Sequence, residues 1–295
     1  MSWPLQAPRL NSSPPKARRV QGGSHEEDDF DHREFERHWQ DHGEVLSAPG
    51  LERHRDNAKS GKGDGAERAA DVFVARLDVQ DSASIAAAVG AGIERFGTID
   101  VLLNNAGYGA YGLLEATSME KIGRQFEVNV LGLLETTKAV LPHFRANKSG
   151  TVINISSIGG KVTFPLGTLY HGTKFAVEGL SEALHYELAA IGVSVKIVEP
   201  GIIKTDFAGR SFDFTNDERL TEYQPFVGKS MAAMAAMGEG GSGPEVVAEV
   251  IYRAATDGTS QLRYTAGPDA AELVKNRKSF DDATFIGGIK QQLGL

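Results

Sequence analysis

From Val72 onward, short runs of Val, Ile and Leu alternate with longer stretches whose apolar positions recur every three or four residues. VFVARLDV (72–79) predicts a strand, and SIAAAVGAGIERFG (84–97) predicts a helix closed by Gly97. IDVLLNNAG (99–107) reads as a buried strand running into a turn. MEKIGRQFEVNVLGLLETTKAVLPHF (119–144) reads as one long helix stopped near Pro142 or just after. GTVINISS (150–157) predicts a strand, and TLYHGTKFAVEGLSEALHYELAAIG (168–192) a helix ended by Gly192. VSVKIVEPG (193–201) and QLRYTAG (261–267) add two strands, while residues 207–243 break the rhythm with polar, aromatic and Met/Ala-rich sequence. Continuous apolar strands alternating with helices predict a parallel sheet covered on both faces, an α/β fold without internal repeats.

Residues 1–70 do not share this pattern. They are rich in Arg, His, Glu, Asp, Gly and Pro, and such a segment buries too little apolar surface to offset its ordering entropy. The expected organisation is therefore an aberrant, largely disordered segment over 1–70 and one domain over 71–295. The 295 residues are 41% hydrophobic and 24% charged, enough for a sizeable core. A net charge of -8 argues against a general nucleic-acid binder. Zero cysteines exclude disulfides, thiolate zinc sites and cysteine nucleophiles, and fit a reducing compartment. No apolar run reaches membrane-spanning length, and MSWPLQAPRLNSSPP lacks the apolar core of a secretory signal, so a cytoplasmic protein without a membrane partner is expected.

The candidate chemistry is concentrated in residues 72–206. Tyr170 and Lys174 lie four apart in a helical pattern and so share a face. An ammonium near a phenol favours the phenolate and makes the tyrosine a usable general acid/base. Ser157 ends a parallel strand, where α/β sheets bind ligands. Asn129 sits where an apolar helix residue is expected, and a buried amide requires hydrogen-bond partners. NNAG (104–107) follows a buried strand, and Asp78 ends the one before it. His171 and His185 read as ordinary helix residues. Ser157 has no G-x-S-x-G elbow around it, which disfavours a hydrolase. His38 and His42, four apart, lack the H-E-x-x-H spacing of a metal site, and no metal ligand set is assigned.

In order and spacing these residues resemble the classical short-chain dehydrogenase/reductases over about three-quarters of the chain. The matching motifs are Asn104–Gly107, Asn129, Ser157, Tyr170 with Lys174, and Pro200–Gly201 followed by Thr205. Extended sugar-nucleotide epimerases share Y-x-x-x-K, but the NNAG motif and short C-terminal part favour the classical group. The resemblance implies a Rossmann-type doubly wound parallel sheet with a dinucleotide along its C-terminal edge. It implies that Tyr170 exchanges the substrate proton, Ser157 orients the carbonyl oxygen, Lys174 lowers the tyrosine pKa and binds ribose, and Asn129 holds a relay water. Asp78 and Val79 would face adenine. Asn105, Ala106 and Gly107 would line the cofactor, and Pro200, Gly201, Ile203 and Thr205 would lie at the nicotinamide. It further implies a small-molecule carbonyl/alcohol substrate and a homodimer or homotetramer. Residues 207–243 would form the substrate lid, where Phe207, Phe212, Phe214, Tyr223 and Phe226 suggest a lipophilic substrate. Met231, Met234 and Met237 read as packing.

One family motif is missing: no T-G-x-x-x-G-x-G follows a first strand, so the N-terminal β-α-β unit is missing or disrupted in the chain as written. HREFERHWQDHG (32–43) occupies its place. The codons for His32 to Gln40 can be chosen so that a one-base shift reads Thr-Gly-Ser-Ser-Ser-Gly-Ile-Gly. The sequence on either side can likewise yield two hidden strands, the second followed by an arginine. That arginine would suit a 2′-phosphate, so NADP(H) is expected over NAD(H). Read literally, the chain is expected to bind dinucleotide poorly, and a catalytically inactive fold serving as a binding or scaffold module is the alternative.

Overall fold

The computed structural model describes residues 73–295 except 206, 208 and 210. Helix α1 (Ser82–Phe96) starts at Asp81, whose carboxylate accepts from the Ala83 and Ser84 N–H groups, and ends at Gly97 in the left-handed conformation. Strand β1 (Val101–Asn104) and short strand β2 (Gly109–Gly112) follow. Helix α2 (Met119–Phe126) leads through a π-helical turn, Glu127–Gly132, into helix α3 (Leu133–Asn147). Then come β3 (Thr151–Ile155), α4 (Thr168–Ala189) and β4 (Ser194–Pro200). The rest of the chain forms β5 (Phe212–Thr215), α5 (Gln224–Glu239), α6 (Glu245–Thr256), β6 (Arg263–Ala266), α7 (Pro268–Ser279) and α8 (Asp282–Gln292).

The strands β1, β3, β4 and β6 pair in that order, all parallel, as the apolar runs required. Alternate residues feed opposite faces. Leu102, Val152 and Val195 pack with Ile85, Val89, Val140, Phe144 and Leu188 from α1, α3 and α4. Leu103, Ile153, Ile155 and Val198 pack on the other side against Val250, Ile251 and Ala254 of α6. This is an α/β Rossmann-like sheet, helix-covered on both faces. The expected N-terminal β-α-β disruption falls outside the described residues, as do His38 and His42.

Three expected elements differ. The described part of VFVARLDV, residues 73–79, is irregular, and no strand among the described residues runs beside it. A strand exists only as part of a ladder, and β1 is itself the last member of its sheet. The long helix, expected to stop near Pro142 or just after, runs on to Asn147 and ends on Lys148 in the left-handed conformation. Phe144, fully buried in the core, anchors that last turn. Residues 207–243 contain β5, which pairs in parallel with β2 through Gly109–Phe212 to Gly112–Thr215, and a helix. Four residues reading Phe-Asp-Phe-Thr are too short a run to stand out as a strand.

Candidate active site

Parallel strands place their C-terminal ends on one edge, and the chain delivers its polar residues there. Strand β1 hands over to Asn105–Gly107, β3 to Ser156 and Ser157, and β4 to Gly201. Helix α4 brings Tyr170 and Lys174 on consecutive turns of one face, both buried.

Ser157 opens a short 3-10 turn, Ile158–Gly160, and its hydroxyl oxygen accepts from the Gly159 N–H at 3.0 Å. The same hydroxyl lies near enough to the Tyr170 phenol to pull its pKa down. Burial is the stronger influence and holds Tyr170 above its ordinary value of 10.0. Lys174 is pushed down to about 8 by burial, opposed by the charge of Glu178. Its Nζ donates to the Ile155 carbonyl at 2.9 Å and stands 5.8 Å from the Tyr170 ring centroid. The expected lowering of the tyrosine by the ammonium is thus not the governing effect: desolvation of both groups outweighs it.

Asn129 lies in the π-helical turn, a local widening that often marks functional sites. Its amide is saturated: Nδ2 donates to the Tyr108 carbonyl at 2.9 Å and the Thr173 hydroxyl at 3.1 Å, and Oδ1 accepts from the Tyr108 N–H at 3.0 Å. A Cβ on Gly107 would come within 3.1 Å of that Oδ1, so the strand-end turn can press on the amide only because residue 107 has none. Asn129 therefore ties the Tyr108 peptide, just beyond Asn105–Gly107, to α4.

The other expected residues are dispersed along the same edge. The Asp78 carboxylate accepts from the Gln80 N–H at 3.0 Å, and Val79 packs onto the bare backbone of Gly132, where a Cβ would meet it at 2.8 Å. Asn105 and Ala106 follow β1, with Asn105 exposed. Pro200 closes β4, and Gly201 passes so close to the Asp269 carboxylate that no side chain fits. Asp269 accepts from the Ile202 N–H at 2.7 Å; Ile203 bridges to Ser242, and Thr205 donates its N–H to the Ile203 carbonyl.

Further contributors include Thr137, Asn154, Ser181 and Tyr111, which the sequence reading did not single out. Asn104 donates to Thr137 at 2.9 Å and to Asn154 at 2.8 Å, and Asn154 donates to Ser181, a buried polar string under the strand ends. Asn154 and Ser181 could have been sought as polar residues inside apolar runs. Tyr111 stacks on Tyr170 at 5.3 Å and on Phe212 at 5.1 Å, and Phe207 lies 5.7 Å from Tyr170, so the 207–243 segment closes an aromatic wall over the phenol. Met231 packs with Leu113, Leu166 and Val227. His171, expected to be an ordinary helix residue, is buried with both ring nitrogens engaged.

A phenol, a hydroxyl and an ammonium thus meet on the C-terminal edge of a helix-covered parallel sheet. The family profile described as short chain dehydrogenase matches residues 49–216. An uncharacterized oxidoreductase of Schizosaccharomyces pombe is 45% identical over 233 residues, covering 77% of this chain and 95% of its own. The crystal structure of a short-chain dehydrogenase from Streptomyces avermitilis superposes with a TM-score of 0.65 at 32% identity, covering 72% of this chain and 77% of that one. The structure of ElxO with NADP bound gives a TM-score of 0.54 at 27% identity, covering 75% and 85%. The chain belongs to the short-chain dehydrogenase family and is an oxidoreductase.

Proposed function

We propose that the chain interconverts a carbonyl and an alcohol with NADP(H), using Tyr170 as the general acid/base. The carrying observation is the buried Tyr170 phenol with the Ser157 hydroxyl close enough to lower its pKa. The residues present suit the nicotinamide half of a dinucleotide. The Lys174 ammonium has three donors, of which Ile155 takes one, leaving others for ribose hydroxyls. Ile203 and Thr205 follow β4 at the sheet edge, where the carboxamide would lie. The residues expected to hold the pyrophosphate lie outside those described. NADP(H) is preferred because the NADP-bound ElxO structure is similar and because the shifted reading of the N-terminal segment supplies an arginine.

When bound, the dinucleotide supplies or accepts the hydride. In reduction, the Ser157 hydroxyl donates to the substrate carbonyl oxygen and orients it. The Tyr170 O–H bond breaks and its proton passes to that oxygen as the carbon gains the hydride; oxidation reverses both transfers. Burial keeps the phenol protonated at neutral pH, which suits the acid role. Asn129 keeps Asn105–Gly107 in place through Tyr108. The wall of Tyr111, Phe207 and Phe212 excludes water and favours a lipophilic ketone or alcohol. The test is Tyr170→Phe, followed by loss of reduced-nicotinamide absorbance against a panel of ketones. Turnover should fall by at least about 10²-fold with NADPH affinity retained, as expected for losing a positioned proton donor. Undiminished turnover would refute the assignment.

A further inference from the structure

We propose that His171 is a positioning residue for Ser157: its imidazole ties the Ser157–Gly160 turn to the segment entering α4 and thereby sets where the serine hydroxyl stands against the Tyr170 phenol. The inference rests on the reading of Ser157 and Tyr170 as the reacting pair.

The geometry is specific. His171 Nδ1 lies 3.0 Å from the Gly159 carbonyl, and a carbonyl only accepts, so Nδ1 carries the proton. Nε2 accepts from the Phe164 N–H at 3.0 Å, so it carries none. One neutral tautomer is thus selected. The Gly159 residue is gripped from both sides, its N–H by the Ser157 hydroxyl at 3.0 Å and its carbonyl by His171. Movement of the ring therefore passes to Ser157 through one residue. The imidazole is only 4% exposed. It is wedged between two glycines: a Cβ on Gly159 would meet Nδ1 at 2.7 Å, and one on Gly167 would meet the ring's opposite edge even closer. Tyr111, Phe164 and Tyr170 pack around it at 6.0, 5.8 and 5.7 Å.

The same bonds make the latch sensitive to acid. The ionisable groups packed on His171 are Tyr111 from β2 and Tyr170 from its own helix, with Lys174 one turn further along that helix; among the described residues no carboxylate acts on its pKa. Burial holds its pKa below the ordinary histidine value, against the smaller opposing effect of the Gly159 bond. Protonation would give Nε2 a hydrogen facing the Phe164 N–H, and that bond would be lost.

The experiment compares the full chain with His171→Phe, which keeps aromatic bulk and loses both bonds, Ser157→Ala, and the double variant. Readouts are kcat, NADPH affinity and hydrogen exchange at the Phe164 amide. His171→Phe should lower kcat on the order of 10²-fold, the scale of a small misplacement of a reacting group. NADPH affinity should be unchanged, and the double variant no slower than Ser157→Ala alone. Phe164 should lose exchange protection while amides of β4 keep theirs. Wild-type kcat in His171→Phe, or a double-variant loss equal to the product of the single losses, would overturn the inference. Full turnover in Ser157→Ala would instead remove the reading of the reacting pair; in that case, or with no turnover in the wild type, Phe164 exchange alone decides whether the latch exists. If His171→Phe does not fold, His171→Gln and the pH dependence of wild-type exchange replace it. Phe164 protection should fall as pH drops below the ordinary histidine range, and pH-independent protection would overturn the proposal.

Discussion

Desolvation sets the character of the reactive groups one residue at a time. With Tyr170 held above its ordinary pKa, reduction should proceed steadily through neutral pH and decline only in alkali, whereas alcohol oxidation, which needs the phenolate, should accelerate as pH rises. Initial rates in both directions across pH would check this. Lys174 is the converse case: its folded pKa is depressed to about 8, below that of the unfolded lysine. Between those values the unfolded chain binds more protons, so the cofactor-free protein gains stability as pH rises through that window. Relative to Lys174→Met, the wild type should therefore gain on the order of a few kcal/mol between pH ~7 and ~10, read by denaturant midpoints. Tyr170, Ser157, Lys174 and Asn129 were all legible because spacing and a polar residue in an apolar context are properties of the string itself. The role of His171 was not, since its partners are main-chain atoms of Gly159 and Phe164, which no side-chain pattern encodes.

Elements were legible where burial enforces them and illegible where a neighbour does. The apolar runs at 101–104, 151–155 and 194–200 became central strands because both their faces are covered. Strands β2 and β5 exist only as a pair, so neither alone carries a signal. The π-helical turn is likewise a tertiary product, with Gly132 meeting Val79. Gly132→Ala should cost about 1–3 kcal/mol in urea unfolding, because the added methyl runs into the Val79 backbone carbonyl as well as its side chain. Between α4 and the sheet, Arg263 on β6 bonds Glu178 at 2.8 Å and also reaches Glu182 and Glu199. Burial, and then the nearby Glu178, push Glu199 well above the ordinary carboxyl range. A raised acid pKa in the folded state contributes stability that is complete below the unfolded value and disappears as pH climbs to about 7. Glu199→Gln should accordingly flatten the fall in melting temperature between pH ~5 and ~8.

For the whole molecule, the described sheet ends at β1, and the residues expected to cradle a pyrophosphate belong to a segment whose sequence departs from the family. The shifted reading of that segment makes a direct prediction. A chain with the frame corrected across codons 25–75 should bind NADPH at least about 10²-fold more tightly than the chain as written, since anchoring at a helix N-terminus carries much of dinucleotide affinity. Isothermal titration of both chains would decide, and equal affinities would favour the written sequence. Phe126 at the end of α2, Leu131 in the π-turn, and Phe175 and Tyr186 on α4 are exposed apolar residues. No helix among the described residues is long and apolar enough to cross a membrane.

The grip of Asn129 on Tyr108 has a consequence for how such a protein can diversify. Both hydrogen bonds end on the peptide N–H and C=O of residue 108, so the brace holds whatever side chain that position carries. The Tyr108 hydroxyl, buried and without a partner in the fold, contributes nothing to it. Position 108, whose ring lies under the Arg124 guanidinium, is thus released from scaffolding duty. A lineage could change this side chain repeatedly without first finding a compensating substitution elsewhere.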